Sequence, residues 1–404
     1  MAQALITVAR ACELVLEAVS PLGSETVGLD DALDRVLAQD VRAAGDVPPF
    51  ASSAMDGYAI VAGDAGRKLR VVGESRAGTP AEGERELRDG EAIRISTGAA
   101  IPPGATAVIP QENVRADGEH AIETMVAQPE GKHVRAAGEA IAAGTLLLRA
   151  GARLDGLALG AAASAGLGSV SVARRPRVAV VCTGDELRAP GEALRPGEIH
   201  NSNAPMLTGL VRRAGAVADP ASRLADDRTA TEEGLRDALS SCDVLIISGG
   251  VSVGPHDHVK PALQALGVQE IFWSVCLQPG KPTWFGSLPD GRLVFGLPGN
   301  PVSAAVTFSL FAAPALAALQ AAPAPQPPAP EAELAADVRG NPNREQAIRV
   351  RLAPGEGLPR AFANGAQGSH ILVSLLGADA LAMIPPGEAG LPAGATVKLR
   401  ALAR

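Results

Sequence analysis

Glycine-rich loops that end on acidic side chains follow several apolar runs of this chain. The segment DVLIISGGVSVGPHDH, residues 243–258, passes from an apolar run through three glycines to Asp257. Gly249 and Gly254 have the spacing of a phosphate-binding P-loop, but a Pro-His pair replaces its Lys and Ser/Thr. Backbone N–H groups of such a loop can still bind a phosphate, and Asp257 can hold a divalent cation against it. The predicted ligand-binding residues are Ser248, Gly249, Gly250, Ser252 and Gly254.

Two other acidic segments could take part in the same chemistry. In TGDEL, residues 183–187, Gly184 allows a turn that presents Asp185 and Glu186 beside Thr183. Asp226 and Asp227 precede a predicted helix. Each acidic pair has a structural alternative, because carboxylates after a strand often cap the next helix. The histidines on either side of Asp257 permit a zinc site, although loop histidines at this spacing are more often solvated.

Rigid turns follow two further runs. In FGLPGNPVSA, residues 295–304, Pro298 and Pro301 stiffen a turn around Gly299 and Asn300 just before a helix. Such a donor-rich turn suits an oxyanion. Lys281 adds a compact cation in QPGKPTWFG, residues 278–286, and a plain β-turn is the alternative for either segment.

Strands that alternate with helices must position these loops. From about residue 174 the chain repeats a strand–loop–helix pattern, as in RVAVVC followed by TGDEL, which predicts a parallel sheet covered on both faces. Ligands of such sheets bind at the carboxyl ends of the strands. Helix TATEEGLRDALSSC opens with a predicted capping box, Thr229 with Glu232.

The rest of the chain predicts a multidomain α/β protein with a central three-layer domain. Two helices are predicted at the start, one capped near Thr7 and one over DDALDRVLAQDV, residues 30–41. Short Gly- and Pro-punctuated runs then indicate an inserted β module, in which Asp56 and Thr97 occupy loop and strand-end positions. The predicted divisions are a discontinuous helical domain 1–45 with 138–173, the β module 46–137, the α/β domain 174–320, a Pro-rich linker 321–330, and a last β module 331–404.

Composition excludes several functions. The 404 residues are 47% apolar and carry a net charge of −8 without a basic block, which argues against a nucleic-acid partner. The four cysteines have no CxxC spacing, and reduced core thiols together with the absence of a recognisable signal peptide predict a cytoplasmic protein. The uncharged segment 301–320 contains Ser, Thr and a central Pro, so a buried helix is expected there and no membrane span.

Seven segments in chain order give the sequence a family resemblance. SSAMDGYA, ISTGAAIPPGA, VCTGDEL, SGGVSVGPHD, PGKP, LPGNPVSA and QGSHIL resemble the bacterial molybdopterin molybdenumtransferases (MoeA), the family that includes the C-terminal half of gephyrin. The resemblance runs from about residue 5 to the C-terminus. It implies an elongated, dimeric subunit with a C-terminal β-barrel, and an active site between subunits that brings Asp56 and Thr97 to the α/β loops of the other chain.

The resemblance also implies a reaction. Family members use a divalent metal, usually Mg²⁺, to cleave adenylylated molybdopterin, and they place molybdate on its dithiolene with release of AMP. Two anions beside carboxylates repel, at about 4 kcal/mol for each pair at ~4 Å and an effective dielectric of ~20, so a shared cation is required. Glu186 and Asp257, with Asp226 or Asp227, are therefore assigned to the metal. Lys281 and the Pro298–Pro301 turn are assigned to molybdate or the terminal phosphate.

One departure from the family pattern leaves alternatives open. Ser274 and Gln278 stand where the family often has lysines. Their loss could weaken molybdate binding, change the oxyanion preference toward tungstate, or mark a non-catalytic scaffold like gephyrin. Adenylylation of molybdopterin from ATP is the activity of related single-domain proteins, and such a molybdopterin adenylyltransferase is a potential partner.

Overall fold

A seven-stranded mixed sheet forms the centre of the protein. The computed structural model describes residues 5–79, 86–118, 120–250, 258–322 and 330–403. Three parallel strands, Arg177–Thr183, Val244–Ser248 and Leu293–Leu297, lie side by side. The short strands Val217–Ala218 and Ser222–Leu224 extend one edge in parallel, and the antiparallel strands Trp284–Ser287 and Gln269–Trp273 form the other. The predicted α/β class is confirmed, with two antiparallel strands that the pattern did not indicate.

Alternate side chains of the central strands enter two separate cores. Val244 and Ile246 face one core, and Leu245 and Ile247 face the other. This period of two is the geometry of a strand buried on both faces, and it explains why the sequence shows a continuous apolar run. Helices cover both faces: Val8–Glu17, Asn203–Arg213, Arg228–Ser241, Val259–Ala265, and the helical segment Pro301–Leu319.

The uncharged segment forms a buried helix, as expected. By length and composition Pro301–Leu319 could cross a membrane, with a mean hydropathy of 1.9, but 78% of it is buried inside the protein. Its middle, Phe308–Ala312, widens into a π-helix between the α-helical stretches Pro301–Thr307 and Ala313–Leu319. The helix therefore belongs to the larger of the two cores.

Small β modules precede and follow the α/β layer. A six-stranded sheet lies in the inserted segment, in the order Ala107–Pro110, Gly57–Ile60, Glu91–Ile95, Lys68–Ser75, Ala121–Thr124, Val114–Ala116. Two-stranded pairs flank it: Ser52–Ser53 with Val134–Arg135, Val41–Arg42 with Leu146–Leu148, and Ser24–Gly28 with Ser169–Ala173. The helix Gly156–Ser164 is capped by Asp155.

The C-terminal module is a closed five-stranded barrel. Its strands are Glu331–Leu334, Glu345–Ala353, Arg360–Ala363, Ala380–Ile384 and Thr396–Ala401, and the second pairs with the fourth to close the ring. The short strand Leu277–Gln278 of the α/β layer adds in parallel to the start of the second barrel strand. The barrel is thus joined to the α/β layer by main-chain hydrogen bonds.

Two local predictions are wrong. Residues 30–41 form no second helix: a single 3₁₀ turn, Leu29–Asp31, ends there, Asp34 has a φ of 61°, and Val36 and Leu37 pair with neighbouring strand segments. The helix Arg228–Ser241 has no Thr-Glu capping box, because its N-cap is Asp227, whose carboxylate accepts from the Ala230 N–H at 2.8 Å. Helix formation begins two residues earlier, where a carboxylate also meets the positive end of the helix dipole.

Candidate functional site

Three strand-end loops meet at the carboxyl edge of the central sheet. The Gly249 N–H donates to the Leu297 carbonyl at 3.1 Å. A Cβ atom at Gly249, where φ is +93°, would lie 2.9 Å from the carbonyl oxygen of Thr183, and one at Gly299 would lie 3.8 Å from the Gly249 Cα. Gly249 is therefore required by close approach as well as by its backbone conformation. Gly249 and Gly250 therefore form one surface with the loops that follow residues 183 and 297.

A cavity of about 360 Å³ opens where these loops meet. Several predicted ligand-binding residues line it together with residues that the sequence analysis did not select. The predicted ones are Thr183, Glu186, Ser248, Gly299, Asn300 and Pro301, and the additional ones are Cys182, Leu187, Ile199, His200, Asn201, Ser202 and Asn203. The size is that of a small-molecule site.

Asn203, at the start of a helix, ties the loops together. Its Nδ2 donates to the Ser248 hydroxyl at 2.8 Å and to the Gly299 carbonyl at 2.7 Å. The Ser248 hydroxyl in turn lies 3.4 Å from the Pro298 carbonyl. The sequence signal for Asn203 is the polar stretch Asn-Ser-Asn, residues 201–203, at the start of a helix in an otherwise apolar α/β pattern. Ser and Asn at a helix start usually cap the helix, so this signal did not single out Asn203.

The same side chain leaves a buried acceptor in the wall of the cavity. Asn203 is 8% exposed, and its buried Oδ1 has no hydrogen-bond partner. The orientation of the amide is fixed, because the opposite orientation would place Oδ1 against the Gly299 carbonyl oxygen. A buried acceptor without a partner is costly, so a ligand N–H or O–H group in the cavity would be stabilised there.

Carboxylates form the rim of the site. The Asp185 N–H lies 3.4 Å from the Asp226 carboxylate and the Asp226 N–H lies 3.3 Å from that of Asp185, so these loops face each other. Glu186 folds back over Gly184, where a Cβ atom would lie 2.5 Å from Glu186 Oε2. All three carboxylates are exposed, whereas Asp227 caps a helix, which is the structural alternative to its predicted metal role.

These oxygen donors suit a hard divalent cation in type and charge. No group of three or more His, Cys, Asp or Glu side chains with metal-site geometry occurs in the part of the chain that the structure describes. Of the residues predicted for this loop, Ser252, Gly254 and Asp257 lie outside the described residues, as does His256. The helix Val259–Ala265 begins directly after them at the same edge of the sheet.

Cys182 gives no sign of a nucleophile. It lines the cavity, but burial raises the pKa of its thiol, and the hydrogen bond with Asn201 only partly offsets this effect. A thiol of raised pKa stays protonated at neutral pH. Covalent catalysis by the one cysteine at this site is therefore disfavoured.

A loop of the C-terminal barrel contacts the third strand-end loop. The Asn300 side chain donates to the Ser369 hydroxyl at 3.2 Å, and the Val302 N–H donates to the Ser369 carbonyl at 3.1 Å. Below this loop the fully buried Arg349 donates to the Gly368 carbonyl at 3.3 Å. Burial lowers the Arg349 pKa to about 10. The QGSHIL segment thus belongs to the surroundings of the site.

Gln278, one of the two neutral residues at the positions of the absent lysines, contacts the barrel. Gln278 accepts a hydrogen bond from the Asn341 side chain of the barrel. Ser274 is 8% exposed and has a φ of 71°, a left-handed conformation. Lys281 is exposed, and its carbonyl accepts from the N–H groups of Val275 and Thr283. Lys281 lies outside the set of residues that line the 360 Å³ cavity.

Asp56 and Thr97 form a second polar pair, in the inserted β module. The Thr97 N–H and hydroxyl donate to Asp56 Oδ1 at 2.7 and 3.0 Å. These two hydrogen bonds, the main-chain one first, lower the pKa of the Asp56 carboxyl. Asp56 is thus held as an exposed anion. The lining of the cavity contains no residue of the module, so the structure joins these two residues to each other and not to the cavity.

Family models cover nearly the whole chain. The model described as "MoeA N-terminal region (domain I and II)" matches residues 6–166, the "Probable molybdopterin binding domain" matches residues 179–318, and the "MoeA C-terminal region (domain IV)" matches residues 331–402.

Comparisons with individual proteins indicate the same family as the family models do. The chain is 37% identical over 319 residues to a molybdopterin molybdenumtransferase of Haemophilus influenzae, with 78% of each protein covered. It is 36% identical over 388 residues to molybdopterin molybdenumtransferase 2 of Mycobacterium tuberculosis, which covers 93% of this chain and 94% of that one. The crystal structure of a molybdopterin biosynthesis MoeA protein from Pyrococcus horikosii superposes with a TM-score of 0.81, at 30% identity and 99% coverage of both chains.

Proposed function

Because the chain belongs to the molybdopterin molybdenumtransferase family, it is a transferase of molybdenum cofactor biosynthesis, and we propose that it inserts molybdate into adenylylated molybdopterin with release of AMP. The observation that supports this reaction best is the meeting of three strand-end loops around one polar cavity. The cavity is lined by polar residues such as Ser248 and Asn300, has the unpartnered buried acceptor of Asn203 in its wall, and has carboxylates at its rim. A phosphoanhydride with an amine-bearing ring system matches all three features.

A divalent cation, usually Mg²⁺ in this family, completes the proposal. Glu186 and Asp226 would hold it together with Asp257, while Asp227 is engaged as a helix cap. Such an ion supplies charge neutralisation between the carboxylates and the phosphates and polarises the leaving phosphate. Because the donors are exposed carboxylate oxygens, they suit a hydrated hard cation better than zinc.

The remaining residues would bind and orient the adenylylated substrate and molybdate. Gly250 would direct its backbone N–H at the phosphates, since neither Gly249 nor Gly250 has a side chain that obstructs the approach. The Asn203 acceptor would receive an N–H of the substrate. The Pro298–Pro301 turn, at the start of a buried helix, would receive molybdate, and Lys281, which lies outside the cavity lining, is the cation assigned to the oxyanion. Asp56 and Thr97 would complete the site from the second subunit of a homodimer.

Measuring AMP release tests this proposal. Purified protein with adenylylated molybdopterin, Mg²⁺ and molybdate should release AMP, and Glu186→Gln should lower the rate at least about a hundredfold without loss of folding. Glu233→Gln, an exposed carboxylate on the helix Arg228–Ser241, is the matched control and should keep the wild-type rate. Wild-type rates in Glu186→Gln would reject its assignment to the metal.

A non-catalytic, molybdopterin-binding scaffold is the second candidate. The use of Gln278 in the contact with the barrel favours it, because a neutral side chain stands where the family often has a lysine. Tight molybdopterin binding without AMP release at any molybdate concentration would support the scaffold over the enzyme. We place either form in the cytoplasm, since the four cysteines are free thiols. A molybdopterin adenylyltransferase is a natural partner of the enzyme, because it would supply the adenylylated substrate.

A further inference from the structure

A second, larger cavity lies at the opposite edge of the central sheet. It has a volume of about 730 Å³, and we call it the arginine cavity after Arg153, Arg175, Arg212 and Arg213, which line it with Asp34. Arg212 and Arg213 end the helix Asn203–Arg213, and Arg175 stands just before the strand Arg177–Thr183. That strand begins beside the arginine cavity and ends at the candidate site, so the two sites are roughly 20 Å apart at 3.3 Å per residue.

The arginines of this cavity differ in pairing from their neighbours. Arg174 and Arg177 form ion pairs with Asp243 and Asp219, at 2.9 and 3.5 Å. By contrast, no carboxylate among the described residues lies within 4.0 Å of the guanidinium group of Arg153, Arg175 or Arg212. Three guanidinium groups without a carboxylate partner among the described residues therefore line one cavity.

The fold holds the Arg153 side chain in place and buries part of the Arg175 guanidinium group. Arg153 Nη1 donates to the Asp34 carbonyl at 2.6 Å, and it packs on Gly215, where a Cβ atom would lie 2.8 Å away. The Nε of Arg175 is buried and has no hydrogen-bond partner. A buried donor on a cation is costly to leave unsatisfied, so an anion or its hydration water in the cavity would be stabilised.

Helix-end electrostatics explain only part of the arrangement. Arg212 and Arg213 in a last helical turn interact favourably with the negative end of the helix dipole. Arg153 and Arg175 come from other segments of the chain, so the dipole gives no reason for their arrival at the same cavity. Like charges that converge from three segments repel unless an anion lies between them.

We propose that the arginine cavity binds a small, multiply charged phosphate compound. If Arg213 is not counted, the arginines Arg153, Arg175 and Arg212 against the one aspartate, Asp34, leave two net positive charges, and planar guanidinium groups pair with phosphate oxygens in bidentate fashion. The volume accepts a ligand up to the size of a nucleotide. None of the lining residues is aromatic, so charge and not ring stacking would provide recognition. This site is separate from the proposed molybdate-insertion site and independent of that proposal.

Calorimetric titration of the full chain with inorganic pyrophosphate tests the inference. EDTA is present throughout, so that metal-dependent binding at the candidate site does not contribute. Wild type should bind one pyrophosphate per chain, more weakly at higher salt. Arg175→Gln combined with Arg212→Gln should weaken binding at least about tenfold, since two charge-assisted contacts are lost. Arg339→Gln, which replaces an exposed arginine of the C-terminal segment, matches the single variant Arg212→Gln in charge and should bind as wild type does.

The single variant Arg212→Gln is included in case the double variant misfolds. The Arg212 side chain is exposed at the end of a helix, so its replacement should leave the unfolding temperature unchanged. Weaker pyrophosphate binding in this folded variant supports the site. Equal affinity of wild type and the double variant, or no wild-type binding at roughly 1 mM pyrophosphate, would overturn it. Tighter binding of citrate, or binding of polyglutamate alone, would overturn the assignment to phosphate.

Discussion

Replacing Asn203 with alanine removes two hydrogen bonds that join three segments around the candidate cavity. The Nδ2 donor serves the buried Ser248 hydroxyl at 2.8 Å and the exposed Gly299 carbonyl at 2.7 Å. Water can replace the donor at Gly299 more easily than at Ser248, which is only 3% exposed and where an unsatisfied buried acceptor costs about 1–3 kcal/mol. We therefore expect Asn203→Ala to destabilise the α/β layer by about 2 kcal/mol. At about 2–4 °C per kcal/mol, its unfolding temperature should fall by roughly 4–8 °C.

Scanning calorimetry and the AMP-release assay measure the two consequences separately. Asn203→Ala should raise KM for the adenylylated substrate, because the unpartnered Oδ1 acceptor is lost as well. Asn203→Asp keeps the side-chain volume but places a carboxylate against two acceptors, so it should bind the anionic substrate more weakly than Asn203→Ala. The matched control is Asn343→Ala, an exposed asparagine in the C-terminal segment. Unchanged unfolding temperature and unchanged KM in Asn203→Ala would refute the reasoning.

Three further predictions concern Gly249, the Asp56–Thr97 pair and the Gln278–Asn341 hydrogen bond. Gly249→Ala should lower AMP release at least about tenfold and destabilise the chain by about 1–2 kcal/mol, because an alanine strains the φ of +93° there; a wild-type rate would contradict this. Thr97→Val should raise the Asp56 pKa toward its ordinary value in an NMR titration, because the hydroxyl hydrogen bond is lost. The stabilisation that the Asp56–Thr97 pair gives at neutral pH is lost as pH falls through the lowered Asp56 pKa. An unchanged Asp56 titration in Thr97→Val would contradict the assignment. Gln278→Lys should lower the KM for molybdate in the AMP-release assay, although it removes the hydrogen bond that the Asn341 side chain donates to Gln278. An unchanged KM would show that position 278 has no contact with the oxyanion.

The α/β layer could be predicted because burial of its strands on both faces leaves a direct pattern in the sequence. Strands buried on both faces must be continuously apolar, so Val244–Ser248 and its parallel neighbours appear as apolar runs, and their loops must meet at one edge. Thr183, Ser248 and Gly299 were selected on this ground, and the structure brings them together. Their roles in substrate binding stay predictions.

Other features depend on contacts that the sequence does not show. Residues 30–41 have a helical pattern, but Leu37 pairs with Val172 from a distant segment, and this tertiary pairing outweighs the local preference. The N-cap Asp227 was missed because Thr229 satisfied the capping-box pattern two residues later. Asn203 resembled an ordinary helix-start residue, and only the approach of Ser248 and Gly299 gives it another role.

A crystal soaked with AMP, Mg²⁺ and molybdate tests the central claim most directly. Data collected at the molybdenum absorption edge would place the metal of molybdate without ambiguity. We predict an anomalous peak at the Pro298–Pro301 turn, with the AMP phosphate at Gly249 and a Mg²⁺ ion at Glu186. Molybdenum and AMP bound away from the cavity formed by the three strand-end loops, with that cavity containing only water, would contradict the account.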